Sequence, residues 1–242
     1  MKSKNFFVAF DHMEDQEIFQ FLDQYQNMIG GVKIGLENFC RYGHELLWKI
    51  KRNYQLPLFL DLKLHDIPAT IKGTLTVLKD LPIDYLTLHV SGGSNMLTTA
   101  KDYLQSIQSP IKILGVTLLT SLDPLDFKQL WNVGPKERQS LFHAYFQLVL
   151  QANLAGMVLS AEDLPYYHAF AKDHGLTAEN GPVIFCPGIR FASDPHQDQK
   201  RVLTPSEAWN SGAHQLVIGR SLTKAIDKKE RLLTLQRILS TV

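Results

Sequence analysis

The segment LPLFLDLKLHDIP, residues 56–68, changes from an apolar run to a cluster of charged residues within a few positions. Its first half has the composition of a buried strand, and Pro68 is a residue that commonly opens a helix. Side chains two apart on a strand point to the same side, so Asp61 and Lys63 share one face. The segment therefore predicts a strand that ends in charged residues and is followed by a helix.

The same alternation of short β-type runs and helical patterns extends along the chain in both directions. The predicted strands are 6–10, 31–35, 56–63, 84–90, 111–119, 156–160, 182–186 and 215–219. Between the second and third strands, apolar or small residues recur at helical spacing: Leu36, Phe39, Cys40, Gly43, Leu46, Leu47 and Ile50. Eight strands, each followed by a helix or by room for one, predict an α/β protein with one domain over residues 1–242, a (β/α)₈ TIM barrel. An open, doubly wound sheet is the main alternative.

Composition narrows the class of protein. The chain has 242 residues, 45% hydrophobic and 20% charged, and a formal net charge of +1, so no extended basic or acidic surface predicts nucleic acid or a membrane as partner. Cys40 and Cys186 lie in apolar stretches without zinc-type spacing, which predicts two buried free thiols in a reducing compartment. The apolar run at 6–10 is too short for a signal segment or a membrane span, and we expect a cytoplasmic protein.

Two segments are too polar to belong to the core: 121–138 and 191–201. Both follow predicted strands, which in a barrel places them at the face formed by the carboxyl ends of the strands. Connections of this length are commonly binding loops or lids. Solvated surface insertions are the alternative for both.

Charged residues also end the neighbouring predicted strands. Asp11 ends the first strand and Lys33 lies near the end of the second. Buried charges are costly unless paired, so charge from three adjacent strands is better explained by electrostatic function than by stability. The predicted array is Lys33, Asp61, Lys63 and Asp66. Asp66 has an alternative role as the N-cap of the following helix. For His89, in the fourth predicted strand, the alternative is a structural residue in the core with its hydrogen bonds satisfied.

Two glycine–arginine motifs follow the last two predicted strands. PGIR occupies 187–190 and VIGR occupies 217–220. In barrels, the loops after strands seven and eight frequently bind phosphate through backbone N–H groups. Gly219 permits close approach of the backbone, and Arg220 is suited to a bidentate contact. The two motifs together predict a phosphorylated ligand.

As an ordered set, these motifs resemble the orotidine 5′-phosphate decarboxylase family. The matching segments are VAFD at 8–11, VKIG at 32–35, DLKLHDI at 61–67 with Pro68 and Thr70, HVSGG at 89–93, VTLLTS at 116–121, PGIR at 187–190, DQKR at 198–201 and VIGR at 217–220. The sequence departs from the family pattern at Ala69, where many members have asparagine. It departs again at TLHV, residues 87–90, where NVHA is commoner. Neither departure touches the charged array, and both leave local packing open.

The resemblance implies a barrel enzyme that converts orotidine 5′-phosphate to UMP and carbon dioxide, the last step of UMP synthesis. It implies no metal and no organic cofactor, and active sites at the interface of a homodimer. By position, Lys63 would protonate C6 of the pyrimidine, Asp61 would face the departing carboxylate, and Lys33 would link Asp61 to the ribose. Asp66 and Thr70 would reach into the neighbouring subunit's site.

The resemblance also implies the remaining substrate contacts. Asp11 would hold a ribose hydroxyl, Thr120 would meet the base edge, and Ile67 belongs to the substrate-binding set. The phosphate would be bound by Arg190, Gln199, Gly219 and Arg220. Two rival functions stay open: a metal-dependent sugar-phosphate decarboxylase or epimerase of the same barrel superfamily, and a non-catalytic protein that binds nucleotide phosphates.

Overall fold

The computed structural model describes residues 5–134, 137–194 and 203–240. In these residues eight parallel strands form a closed barrel, in which each strand pairs with its neighbour in sequence and β8 pairs with β1. The strands are β1 Phe6–Ala9, β2 Gly31–Gly35, β3 Leu58–Leu64, β4 Tyr85–His89, β5 Lys112–Val116, β6 Gly156–Val158, β7 Val183–Cys186 and β8 Gln215–Ile218. The predicted barrel is confirmed, and the open sheet is wrong.

Helices surround the barrel and alternate with its strands. They are α1 Asp15–Tyr25, α2 Leu36–Tyr54, α3 Pro68–Leu78, α4 Gly93–Ser106, α5 Pro124–Trp131, α6 Arg138–Gln151, α7 Leu164–Asp173, α8 Pro205–Asn210, α9 Arg220–Thr223 and α10 Lys228–Ile238. Within the described ranges, none of these helices combines the length and apolarity that crossing a lipid bilayer requires.

The core has two layers, and the alternation of side chains along β1 shows how they separate. Phe6 and Val8 point outward and join the large apolar layer between barrel and helices. Phe7 points inward, where its ring lies 6.0 Å from that of Phe59 and 5.6 Å from that of Phe185. These aromatic rings pack together inside the barrel.

Helix α2 corrects two expectations about the apolar stripe between the second and third strands. Its second half is buried as expected, through Leu46, Leu47 and Ile50. At Gly43 the backbone turns to φ 58° and ψ −150°, which kinks the helix. Ahead of this kink Phe39 still packs against the core, but Cys40 is exposed, and the expectation that it is buried was wrong. Cys186, in β7, is buried as expected.

The polar segment 121–138 is not simply a loop, because it contains helix α5. The carboxylate of Asp123 caps this helix by accepting hydrogen bonds from the N–H groups of Leu125 (2.9 Å) and Asp126 (3.1 Å). Phe127 fixes the helix to the body of the protein, since its side chain is buried. Asp before Pro124 is a helix-start signal that the polarity of the segment concealed. Of the second polar segment, 191–201, residues beyond 194 lie outside the described residues.

Candidate functional site

A cleft of about 330 Å³ opens at the carboxyl ends of the barrel strands. Its floor is apolar and is built from inward-facing residues of the strands, including Ala9, Phe59 and Val217. Its walls carry most of the residues singled out in the sequence: Asp11, Lys33, Asp61, Lys63, Thr120, Arg190, Gly219 and Arg220. The barrel thus brings together side chains that are more than 200 positions apart in the chain.

Four charged groups alternate in sign along one wall of the cleft. The ammonium of Lys33 lies 2.8 Å from Asp11 Oδ2 and 3.4 Å from Asp61 Oδ2. Lys63 Nζ donates a hydrogen bond to the same Asp61 oxygen at 2.8 Å. Lys33 and Asp61 are 6% and 9% exposed, so both hold their charge in a largely dry environment. Such burial is tolerated because each charge has a partner of opposite sign.

These pairs keep the charges in place at neutral pH. Burial alone would raise the pKa of Asp61, but attraction to Lys33 and Lys63 outweighs it and lowers the pKa to about 2. Burial likewise opposes the charge of Lys33, yet Asp61 and Asp11 raise its pKa above the ordinary value. The wall therefore presents a fixed carboxylate between two ammonium groups.

Thr87, in β4, contacts the charged array, although its role was not predicted from the sequence. Its hydroxyl donates to Asp61 Oδ1 at 2.9 Å and accepts the backbone N–H of Lys63 at 2.9 Å. Its side chain is completely buried. Thr87 belongs to the TLHV segment, so the expectation that this departure does not touch the charged array was wrong. The alternation along β4 carried the signal, because Thr87 lies two residues after Tyr85, which packs against the inner cluster.

Thr87 compensates for a break in the sheet at Lys63. The pairing of β3 with β4 shifts register between Leu60 and Leu64, and Lys63 has a left-handed backbone with φ 51°. A residue in this conformation leaves the strand ladder, and its N–H needs another acceptor. The Thr87 hydroxyl supplies that acceptor, and the bend directs the Lys63 side chain into the cleft.

Gly35, at the end of β2, leaves room for the array. A Cβ atom at this position would lie 2.1 Å from Asp11 Oδ1 and 3.2 Å from Lys33 Nζ. No side chain fits at those distances without displacing the ion pair. Glycine is therefore required at position 35 by the charged wall.

The predicted phosphate-binding residues border the cleft after the last two strands. Arg190 lies beyond β7 and is 9% exposed, and Arg220 is the first residue of α9, directly after Gly219. Both arginines line the cleft. Gln199 lies outside the described residues.

Three of the predicted site residues lie outside the cleft of their own chain. Asp66, Ile67 and Thr70 are all exposed, with Ile67 at 65%, and none of them lines the described part of the cleft. Asp66 accepts a hydrogen bond from the N–H of Ile67 at 2.7 Å. Helix α3 begins at Pro68 with Ile67 in the N-cap position, so the alternative role of Asp66 as the N-cap was wrong.

His12 and Glu37 also line the cleft and were missed from the sequence. His12 has a left-handed backbone with φ 58°, and its Nδ1 lies 2.7 Å from Glu37 Oε2. This pair is at the cleft mouth beside Leu36, which is 58% exposed. Nothing in the local pattern distinguished these residues from other surface positions.

The chain is similar to known proteins over most of its length. The model of a family described as "Orotidine 5'-phosphate decarboxylase / HUMPS family" matches residues 4–235. A protein of Listeria innocua serovar 6a named orotidine 5′-phosphate decarboxylase is 37% identical over 224 residues, covering 91% of this chain and 92% of that protein. A protein of the same name from Wolbachia sp. subsp. Brugia malayi is 37% identical over 218 residues, covering 90% and 91%.

A solved structure gives the same result for the fold. The crystal structure of orotidine 5′-phosphate decarboxylase from Lactobacillus acidophilus matches with a TM-score of 0.79 and 26% sequence identity, covering 98% of this chain and 100% of that one. The resemblance deduced from the ordered motifs is thereby confirmed. The chain belongs to the orotidine 5′-phosphate decarboxylase / HUMPS family.

Proposed function

We propose that this protein decarboxylates orotidine 5′-phosphate to UMP and carbon dioxide in de novo pyrimidine biosynthesis. Family membership supports the substrate, since the relatives above carry the name of this activity. The observation that carries the chemistry is the charged array in the wall of the cleft, in which Lys33 and Asp61 are buried and Lys63 is partly exposed. An array of fixed charges suits a reaction whose difficulty is the development of charge at carbon.

Lys63 is the proposed proton donor. When the bond between C6 and the carboxylate breaks, the electron pair remains on C6 and carbon dioxide leaves. The Lys63 ammonium stabilises this developing negative charge, and its N–H proton then moves to C6 to give UMP. The amine left behind regains a proton from solvent, which completes the cycle. Its hydrogen bond to Asp61 at 2.8 Å supports this role, because it holds the ammonium toward the cleft.

Asp61 is proposed to act on the substrate before the bond breaks. Its lowered pKa keeps it ionised, so it would repel the carboxylate of a bound substrate, and that repulsion would be relieved when carbon dioxide departs. Lys33 lies between Asp61 and Asp11. In this proposal Lys33 links the reacting end to the ribose, and Asp11 binds a ribose hydroxyl.

The far side of the cleft is proposed to bind the phosphate. Arg190 and Arg220 line the cleft there with Gly219, and Gln199 joins them in the proposal. Thr120 would contact the base edge. Phosphate is remote from the bond that breaks, but its binding energy can be used to position the pyrimidine against Lys63.

The proposed reaction uses neither a metal ion nor an organic cofactor. Both oxygens of Asp61 already have partners, Oδ2 with the two lysines and Oδ1 with Thr87. Ammonium groups therefore hold the positions around this carboxylate that a divalent cation would require. This supports electrostatic catalysis by the chain's own residues.

We further propose a homodimer in which each subunit completes the other's site. Asp66, Ile67 and Thr70 are exposed at the start of α3 and lie outside their own cleft. Asp66 of one chain would join the charged array of its neighbour, and Ile67 and Thr70 would contact the neighbour's substrate.

An ultraviolet assay tests the proposed function directly. The purified protein is incubated with orotidine 5′-phosphate, and the loss of orotate absorbance is followed with and without EDTA. We expect turnover to UMP at the same rate in both conditions. Absence of turnover would refute the proposed activity. Loss of activity in EDTA that a divalent cation restores would favour the metal-dependent rival of the same superfamily.

A further inference from the structure

A second hollow, of about 280 Å³, lies on the other side of the two cleft arginines. Arg190 and Arg220 line both the cleft and this hollow. The hollow is also lined by Asp194, Ser221 and Arg231, which have no part in the proposed chemistry. We call these three residues the rear network.

Asp194 is the centre of the rear network, and its side chain is 10% exposed. One carboxylate oxygen, Oδ2, accepts the N–H of Phe191 at 3.1 Å and the hydroxyl of Ser221. The other, Oδ1, lies 2.6 Å from Arg231 Nη1. Burial would raise the pKa of Asp194, but the hydrogen bonds from Ser221 and Arg231 lower it, so the carboxylate stays ionised.

Arg231 connects the network to helix α10. Its guanidinium donates to the carbonyl oxygen of Ser221 and lies over the ring of Phe191, 4.7 Å from the ring centre. Phe191 N–H also donates to Ser221 Oγ at 3.2 Å. Phe191 directly follows Arg190, and Ser221 directly follows Arg220. The network therefore joins the two backbone positions next to the cleft arginines.

We propose that Asp194, Ser221 and Arg231 are positioning residues that fix the separation of Arg190 and Arg220 and so determine recognition of the substrate's phosphate. This inference rests on the proposed function. A bidentate arginine contact depends on geometry, and a small displacement of either guanidinium weakens it. Arg231 also neutralises Asp194, and without it an uncompensated carboxylate would lie behind Arg190 and Arg220 and weaken their attraction for the phosphate dianion.

The test uses Arg231→Met, which keeps the aliphatic stem but removes the guanidinium. Lys229→Met is the matched control, because Lys229 is an exposed cation on the same helix and also becomes methionine. Ser221→Ala removes only one hydroxyl and serves as a milder second variant. Each protein is assayed with orotidine 5′-phosphate and with orotidine, which lacks the phosphate, and its thermal unfolding is recorded.

With orotidine 5′-phosphate, we expect Arg231→Met to lower kcat/KM roughly ten- to a hundred-fold, mostly through KM. With orotidine, kcat/KM should stay within about two-fold of the wild-type value, since no phosphate is present to recognise. Ser221→Ala should show a smaller loss of the same kind, and Lys229→Met should match the wild type with both substrates.

An equal loss with both substrates in Arg231→Met and Ser221→Ala would overturn the inference, because it would reveal a general structural role. Unchanged kinetics in both variants would overturn it as well. In either case a wild type that turns over orotidine 5′-phosphate leaves the proposed function intact. A wild type without that turnover would refute the proposed function, and the inference with it.

Discussion

At Thr87 a single hydroxyl group connects the bend at Lys63 to the carboxylate of Asp61. The side chain touches no solvent, so its donor and acceptor capacities are used entirely inside the array. Asp61 and Lys63 could be predicted as neighbours from the two-residue period of a strand. Alternation along β4 indicated that Thr87 points into the barrel, but its two hydrogen bonds could not be predicted, because they depend on the register of β4 against a bulged β3.

Replacing Thr87 with valine should therefore damage both stability and turnover. Valine has the same shape but leaves the Lys63 N–H and one Asp61 oxygen without their partner, which costs about 1–3 kcal/mol of unfolding free energy. We expect kcat to fall by roughly ten-fold or more, because Lys63 loses its fixed position. Steady-state kinetics and urea unfolding measure the two effects. Thr87→Ser, which retains the hydroxyl, is the control, and a valine variant as active as the serine one would contradict this role.

The charge of Asp61 predicts a pH dependence of stability. Its pKa is lowered to about 2 in the folded protein, from an ordinary value of 3.8. A carboxyl with a lowered folded-state pKa stabilises the protein above the unfolded-state value, and this contribution is lost as pH falls from about 4 toward 2. Its size is on the order of 2 kcal/mol.

Urea unfolding between pH 7 and the lowest pH at which the protein folds tests this contribution. Asp61→Asn cannot titrate at this position, so its unfolding free energy should fall less steeply with acid than that of the wild type. Identical slopes for the two proteins would show that Asp61 has a similar pKa in the folded and unfolded states.

Among the helices and strands, the apolar periodicity predicted helix α2 but did not predict the kink that divides it. The stripe from Leu36 to Ile50 reads as one apolar face, yet the chain turns at Gly43, and ahead of this turn Leu36 and Cys40 are exposed. The first half instead places Leu36 at the mouth of the cleft. Periodicity averages over such a kink, because it assumes that every residue continues the same helix. The glycine inside the helical pattern was the sequence feature that could have indicated the kink.

Gly43→Ala should destabilise the protein, although there is space for the methyl group. No atom lies within 4 Å of a Cβ at this position, but φ 58° with ψ −150° is a conformation that only glycine adopts readily. We expect a loss of about 1–3 kcal/mol in unfolding free energy.

Gly73→Ala is the matched control for this prediction. Gly73 is an exposed residue inside α3, it also has no atom within 4 Å of a Cβ, and it carries no positive φ. Alanine there should stabilise the protein by about 0.5–1 kcal/mol. Equal effects of the two substitutions in urea unfolding would argue against strain at Gly43.

For the whole molecule, the order of strands and helices was predictable because each element carries its own period, and eight repeats of strand and helix leave few architectures. The order of the motifs identified the family. The proposed division of the site between two chains is of another kind, since contacts within one chain do not test it. Asp66 and Thr70 were assigned to a partner by resemblance, and that assignment stays a prediction.

Mixed dimers test the shared site. Lys63→Ala and Asp66→Ala should each be nearly inactive alone. When the two are unfolded and refolded together, mixed dimers should contain one intact site, so that roughly a quarter of all sites recover. Orotidine 5′-phosphate turnover per subunit measures this recovery.

The control mixture combines Lys63→Ala with Lys33→Ala. Both lysines belong to the cleft of their own chain, so every site in a mixed dimer lacks one of them and no recovery is expected. If the Asp66→Ala mixture also fails to recover while mixed dimers form, Asp66 acts within its own chain.

The register shift at the end of β3 has a consequence for how this barrel tolerates change. Between Leu60 and Leu64 the pairing of β3 with β4 is interrupted, and the residues proposed for chemistry, Asp61 and Lys63, occupy that interruption. The β3–β4 ladder resumes at Leu64, and on the other side of the strand Asp61 keeps its pairing with Gly35 of β2. Backbone pairing with β2 therefore holds β3 at the position where its β4 side is open, so substitutions of the Asp61 and Lys63 side chains can alter the reaction while the strand order of the barrel is retained.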